Sequence, residues 1–329
     1  MAFSPEAIQL LRECQTPLIA GHLRADGDCL GSAIALSQVL RDMGKEPQIM
    51  MPDEPDGRYG FLAAHTPWLI FEDELPEHDL FIVCDCSVLP RLGRMGEAIQ
   101  NVATPRLVID HHPLDDPSPW TALIHDPTAA ASGLLIYELA QTLGVPLNGR
   151  ACEAAFTALM TDTGWLKYSN ADARCWGAAA DLVAGGLDSE KIYRQIYQQN
   201  EPGRPRGVAA ALANHESLQE PSLALAWVSQ GDLQESGGTL EDTDDVLDLM
   251  RAVSSVEAVA LVVERKNGVA KVSFRSKTWL DVNLIAKTLG GGGHARAAGA
   301  TFDGTVALSD AVHQVRKALL DGFSAQKQS

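Results

Sequence analysis

The sequence has no apolar stretch long enough to span a bilayer, which excludes a transmembrane helix. Its first dozen residues include Glu6 and lack a basic region followed by an apolar one, so no secretory leader is expected. Six cysteines scattered through 329 residues are too few for a disulfide scaffold. Cys84 and Cys86 have C-x-C spacing but no second pair to complete a zinc site, and read as reduced core thiols sharing one strand face. These absences predict a cytoplasmic protein with no membrane partner. No internal repeat or low-complexity tail is present. Positive charge is scarce, with 26 Lys and Arg against 43 Asp and Glu, a net charge of −17. So acidic a body is unsuited to tracking long duplex nucleic acid, whose affinity rests on neutralising phosphates.

The chain does have enough apolar residues, 46% of its length, for two packed cores. Its charge is unevenly spread: residues 1–220 carry a net −15 and residues 221–329 a net −2. Within the latter, Arg265 to Arg296 holds seven basic residues and one acidic one, a local patch suited to a short anionic substrate. Short runs rich in Val, Ile and Leu at 17–22, 47–51, 80–85, 106–110 and 121–125 read as strands. Helical patterns at 30–43, 90–100, 130–143, 151–161 and 173–184 lie between or after them. This alternation predicts an α/β fold with a doubly wound, mainly parallel sheet over residues 1–200. Asn200 to Pro205 breaks the pattern, so 201–220 reads as a linker with a connecting helix at 206–218. Residues 221–329 read as a smaller α/β domain with a mixed sheet. Its strands are expected at 224–228, 256–264 and 269–275, the last two joined by a turn at Lys266-Asn267-Gly268, and its helices at 241–252, 281–289 and 306–320.

Four acidic clusters fall where such a fold would place the carboxyl ends of strands, the edge at which open parallel sheets gather ligands. They are His22-x3-Asp26-Gly27-Asp28, Asp85, Asp110-His111-His112, and Asp162-Thr163-Gly164. Asp26 and Asp28 sit at i and i+2 around a glycine, so they can serve different ions. Gly31-Ser32 would open the next helix, whose amides favour an anion. Asp85 ends an apolar strand, where a solvated turn residue is the ordinary alternative, and it is expected to bridge two ions. Adjacent histidines must diverge, so one suits a metal and the other a substrate phosphate. Asp26, Asp28, Asp85 and Asp162 sum to −4, which balances two divalent cations. Oxygen donors with a minority of imidazoles favour Mn²⁺ or Mg²⁺, and the imidazoles tilt the choice toward Mn²⁺. His65, His78, His125, His215 and His313 have no comparable neighbours and read as surface or packing residues.

In their order and approximate spacing these motifs resemble those of the DHH phosphoesterase superfamily, particularly its NrnA-like nano-RNases. Phe274-Arg275-Ser276-Lys277 and Gly290 to Gly293-His294-x3-Ala298-Gly299 resemble the associated substrate domain. The resemblance implies that His22, Asp26 and Asp85 hold one ion and that Asp28, Asp85, His111 and Asp162 hold the other. It also implies that His112 contacts the scissile phosphate and that Asp110 orients an imidazole. Ala25 stands where proline is common in that group. Arg275, Ser276, Lys277, Gly292, Gly293, His294 and Arg296 become the expected substrate contacts. The four glycines read either as a close-approach anion loop or as a hinge, and Trp279 as either a stacking or a packing residue. The implied activity is hydrolysis of short single-stranded RNA, or of 3′-phosphoadenosine 5′-phosphate (pAp) to AMP, in a cleft between the domains. A homodimer is compatible with it. The competing readings are a cyclic-dinucleotide or linear dinucleotide phosphodiesterase, a pyrophosphatase or exopolyphosphatase, and a nucleotide-binding module without catalysis.

Overall fold

The computed structural model describes residues 3–64, 66–114, 119–219, 222–238, 244–265 and 268–327. The chain forms two compact units, Met1–Gln199 and Asn200–Ser329. The first is built on six strands: β1 (Pro17–Ala20), β2 (Gln48–Met51), β3 (Leu69–Ile70), β4 (Leu80–Cys84), β5 (Arg106–Asp110) and β6 (Ala122–His125). Every neighbouring pair is parallel, in the order β3-β2-β1-β4-β5-β6. The expected doubly wound parallel sheet is therefore present. Its order reverses between β1 and β4, the position where such sheets open a crevice. The two-residue β3 is too short to show any alternation, and sequence reasoning missed it.

The helices of this unit are α1 (Pro5–Glu13), α2 (Gly27–Asp42), α3 (Gly60–Ala63), α4 (Arg94–Gln100), α5 (Ser132–Leu143), α6 (Gly149–Asp162), α7 (Ala173–Ala184) and α8 (Ser189–Tyr197). One sheet face carries Ile19, Ile82, Cys84 and Ile109 into the core of α2, α5 and α6. The other carries Phe81, Val83 and Val108 against α4. Cys84 and Cys86 were expected on one face, yet Cys84 belongs to the first core and Cys86 to the second. The cause is Asp85, whose φ of 62° breaks the strand's alternation. All six cysteines are free and buried.

Three glycines let helices close up beneath the sheet's carboxyl edge. A Cβ on Gly31 of α2 would lie 2.4 Å from the Ala154 carbonyl oxygen of α6. One on Gly27 would lie 2.5 Å from Thr161 Oγ1, and one on Gly133 of α5 would lie 2.4 Å from Ala158 Cβ. Gly31 and Ser32 were expected to open α2, but the helix starts a turn earlier and both residues are buried inside it. Asp26 caps that start by accepting from the Cys29 amide at 3.1 Å, so the expected anion seat at the helix opening is filled by the protein's own carboxylate.

The second unit contains α9 (Arg204–Ala213), β7 (Glu216–Leu218), β8 (Leu223–Val228), α10 (Gln230–Ser236), α11 (Asp244–Arg251), β9 (Ala258–Glu264), β10 (Ala270–Ser276), α12 (Val282–Thr288), β11 (Gly292–His294), β12 (Ala297–Phe302) and α13 (Leu308–Lys327). The sheet order is β11-β12-β10-β9-β8-β7, with only β8 and β9 parallel, so it is mixed as expected. The single helix expected at 206–218 is instead α9 followed by the edge strand β7, because His215 and Glu216 leave the helical path after the α9 cap at Asn214. Residues 241–243 of the expected helix at 241–252 lie outside the described residues, as do Lys266 and Asn267 of the expected turn. Among the described residues no helix is long and apolar enough to cross a membrane.

Gly31→Ala tests the close approach of α2 and α6. Overpacking against a backbone carbonyl outweighs the gain in helix propensity, with a net loss of about 1–2 kcal/mol. Urea unfolding of the cation-free protein measures it, and an unchanged midpoint would show that the helices separate without cost.

Candidate metal centre

His22 follows β1, Asp85 follows β4, and Asp110 ends β5, with His111 and His112 directly after it. Asp26 caps α2 and Asp28 lies in its first turn. Asp162 is not at a strand end: it is the last residue of α6, brought in by the glycine-mediated packing of that helix. The six candidate ligands meet in overlapping groups whose donor atoms lie within 4.8 Å of one another. These groups are His22, Asp26 and Asp85; Asp28, His111 and Asp162; and Asp85, His111 and His112.

His111 Nε2 lies 3.6 Å from Asp28 Oδ2, 3.5 Å from Asp85 Oδ1 and 3.6 Å from Asp162 Oδ2. His22 Nε2 lies 3.4 Å from Asp85 Oδ2. These separations are long for hydrogen bonds, and both Nε2 atoms are buried with no hydrogen-bond partner. Each ring commits its other nitrogen to the backbone, His22 Nδ1–H to the Leu23 carbonyl at 2.9 Å and His111 Nδ1–H to the Ala129 carbonyl at 3.1 Å. That tautomer aims a bare lone pair from each ring into a set of carboxylates, the donor arrangement a divalent cation requires. The residues fit a metal centre.

Asp28 reaches beyond this cluster. It accepts from the Ser132 amide at 2.7 Å, the Gly133 amide at 2.8 Å and Ser32 Oγ at 3.1 Å. It therefore caps α5, whose own N-cap residue, Ala131, has no capping side chain. Ser132 Oγ also donates to Asp85 at 3.0 Å. Asp110 is fully buried and accepts from both His112 Nδ1–H, at 2.9 Å, and the His112 amide, at 3.1 Å. The imidazole it orients is thus His112, while His111 is set by a carbonyl.

Burial pushes Asp28 well above the usual carboxylate range, and Asp85 and Asp162 add repulsion. Burial also pushes Asp85 up to about 8, with Asp26 contributing, and raises Asp162. The Asp110 hydrogen bond lifts His112 to about 9, and burial holds His22 down. On Asp110, hydrogen bonds from His112 outweigh burial and keep the carboxyl low.

Sequence reasoning missed the supporting residues. His125, expected as a surface or packing residue, donates from Nε2 to the His112 carbonyl at 2.6 Å. Arg174 on α7 grips both oxygens of Glu138, at 3.0 and 2.9 Å, and Asp126 Oδ2 at 2.8 Å. Outweighing burial, hydrogen bonds from Thr128 and Arg174 bring Asp126 down to about 2. This clamp fixes the loop that presents the Ala129 carbonyl and Ser132. Of the other histidines, His215 and His313 are exposed, His78 bonds the Pro76 carbonyl, and His65 lies outside the described residues.

The expected substrate contacts of the second unit are more heavily engaged than anticipated. Ser276 is buried, Arg275 donates to its neighbouring Phe274 carbonyl at 2.9 Å, Lys277 to the Val253 carbonyl at 2.5 Å, and Arg296 to the Leu280 carbonyl at 2.9 Å. Gly292, Gly293 and His294 form β11, a hairpin edge paired with β12. A Cβ on Gly291 would lie 2.1 Å from the Gly299 carbonyl oxygen, and Gly293 has a φ of 144°. Gly291 and Gly293 are thus needed for close strand pairing, a role that the anion-loop and hinge readings did not include. His294 remains exposed. Trp279 is 41% exposed and packs on Phe323.

An open parallel sheet with carboxylates and imidazoles gathered at its switch point, followed by a mixed-sheet unit, defines a two-unit α/β protein with a candidate metal centre. Residues 17–163 match the DHH family N-terminal domain and residues 221–321 match the DHHA1 domain, so the chain carries both domains. The chain is 28% identical over 314 residues to the bifunctional oligoribonuclease and PAP phosphatase NrnA of Thermus thermophilus, covering 94% of this chain and 91% of that protein. It is 25% identical to the cyclic-di-AMP phosphodiesterase GdpP of Geobacillus thermodenitrificans, covering 97% of this chain but 49% of that protein. A crystal structure of an exopolyphosphatase-related protein from Bacteroides fragilis shares the fold, with a TM-score of 0.89 at 22% identity over 97% of this chain and 96% of that one.

Two measurements test the centre. Carboxyls raised on folding bind more protons in the native than in the unfolded state between about pH 4 and their raised values, so cation-free stability falls as pH rises across that window. His112 acts in the same direction, since its stabilisation is lost as pH rises through about 9. Melting in a chelator should give a lower Tm at pH 9 than at pH 6, and Mn²⁺ should raise the Tm more at pH 9, where it displaces fewer protons. A pH-independent cation effect would contradict the linkage. Arg174→Ala should weaken cation affinity by roughly 10- to 100-fold, the usual effect of losing an outer support. Calorimetric titration checks this, and wild-type affinity would exclude the clamp.

Proposed function

We propose that this chain is a divalent-cation-dependent phosphoesterase that hydrolyses short single-stranded oligoribonucleotides to mononucleotides and pAp to AMP. The observation that carries this reading is the pair of partnerless, buried imidazole nitrogens aimed at four carboxylates. Its substrate class is supported by similarity along nearly the whole chain to the T. thermophilus bifunctional enzyme. His22, Asp26 and Asp85 would hold one cation, and Asp28, Asp85, His111 and Asp162 the second, with Mn²⁺ favoured over Mg²⁺ by the two imidazoles. When bound, the cations supply an activated water at neutral pH and stabilise charge on the phosphoryl oxygens.

The chain's own side chains do the remaining work. His112, protonated at neutral pH because Asp110 holds its Nδ1–H, offers its Nε2–H to a phosphoryl oxygen. Asp110 keeps that ring in orientation. Ser132 and Gly133 hold Asp28 against the repulsion of its neighbours. In the second unit, Arg275, Lys277 and Arg296 supply the cationic contacts to substrate phosphates, with Ser276, Gly292 and His294 beside them, and Gly293 keeps the strands close-set. Six buried free thiols suit the reducing cytoplasm.

The likeness to GdpP favours one second reading, cyclic-di-AMP or linear pApA phosphodiesterase activity at the same centre. Hydrolysis of pAp, a ribo-trinucleotide, pApA, cyclic di-AMP and pyrophosphate should be measured side by side with Mn²⁺. Turnover of pAp and the trinucleotide is expected to dominate. Faster turnover of cyclic di-AMP would install the second reading, and turnover of none would end both. Asp85→Ala should reduce activity to background and weaken binding of both cations, because it removes the ligand they share. Near-wild-type turnover would defeat the assignment.

A further inference from the structure

The loop that leaves Asp162 ends in an aromatic surface that the phosphoester chemistry does not use. Trp165 and Leu166 both adopt a φ of 63°, a left-handed backbone that neither residue favours. The loop is held there by the Trp165 amide on the Met160 carbonyl at 2.7 Å, the Leu166 amide on Thr163 Oγ1 at 3.0 Å, and the Asn170 side chain on the Ala130 and Asp162 carbonyls, each at 3.1 Å. The Trp165 ring meets Phe156, Tyr193 and Tyr197 edge-on, at centroid distances of 5.7, 5.0 and 5.9 Å. Tyr193 and Tyr197 lie 5.0 Å apart, and Lys167 Nζ stands 5.1 Å from the Tyr168 ring.

Phe156 and the half-buried Trp165 account for packing. The three tyrosines go beyond it: Tyr168, Tyr193 and Tyr197 are 43%, 39% and 37% exposed. The surface is tied to the metal centre through the loop that leaves Asp162. Trp165 and Tyr168 lie three and six residues after Asp162. The helix that carries Tyr193 and Tyr197, α8, packs in turn against residues Gly57–Tyr59. Flat rings with Lys167 at their edge, on the loop that leaves a candidate phosphate site, suit a ligand with an anionic end and a planar end.

We infer that Tyr168, Tyr193 and Tyr197, backed by Trp165, form a stacking platform for a nucleobase of the substrate whose phosphate is held at the carboxylate–imidazole centre. The inference rests on the phosphoesterase reading and deepens it: the platform selects nucleotides over pyrophosphate. Because every base presents a π face, it is tolerant of base identity, and removing a ring should weaken binding by roughly 5- to 100-fold.

Calorimetric binding of AMP and of ribose 5-phosphate to the Mn²⁺-loaded protein isolates the base. Wild type should bind AMP at least several-fold more tightly. Tyr193→Leu, Tyr197→Leu and Tyr168→Leu should each reduce that preference while leaving ribose 5-phosphate affinity in place, and Tyr197→Phe should keep it. Tyr168→Leu serves if the α8 variants fail to fold, since Tyr168 lies outside the ring contacts made with Trp165. Equal wild-type affinities for the two ligands, or a preference that survives all three leucine substitutions, would overturn the platform. A protein that shows the base preference but hydrolyses no phosphoester would overturn the enzymatic reading and leave the platform standing.

Discussion

Four carboxylates brought together in a largely apolar shell repel one another, and the first unit is organised around that repulsion. Asp28 and Asp85 are almost fully buried, and burying an unpaired charge costs far more than any one packing contact returns. Proton uptake, amide hydrogen bonds and cations are the three means of relief, and the structure provides for each. The α5 amides cap Asp28, Ser132 reaches Asp85, and two imidazoles turn partnerless nitrogens toward the cluster. A cation would meet an arrangement already in place, so little reorganisation accompanies binding.

The packing that imposes this proximity is made by small residues. Gly27, Gly31, Gly133 and Ala158 let α2, α5 and α6 approach until side chains meet backbone. That approach is what carries Asp162, on a helix, to carboxylates anchored at strand ends. In the second unit glycine serves a related purpose, since Gly291 and Gly293 permit β11 to close on β12 where any side chain would strike a carbonyl. In both units a glycine that looks permissive in sequence is an exclusion of volume in space.

Much of the site was legible because its chemistry is unusual in sequence. Adjacent histidines after an apolar strand, and paired aspartates around a glycine, have few structural uses, so His22, Asp26, Asp28, Asp85, His111 and Asp162 stood out from the chain. The parallel sheet followed from strand and helix alternation, since every strand run except the two-residue β3 was long enough to be recognised. The start of α2 was misplaced because its first turn is polar and carries ligands, which hides the helical period. The cysteine pair was misplaced because a left-handed Asp85 leaves no mark in composition. Arg174, His125 and the Ala129 carbonyl were invisible, as they act through partners up to 48 residues away whose proximity no local pattern encodes.

The sequence by itself determined the donor types, their number and the sheet that would gather them, since these depend on side-chain chemistry and on short-range periodicity. Tertiary structure alone decided which nitrogen of each imidazole is left bare, which carboxylate caps a distant helix, and which tyrosines share a surface. Those outcomes depend on distances between elements far apart in the chain, set by how closely helices pack, and no local pattern carries that information.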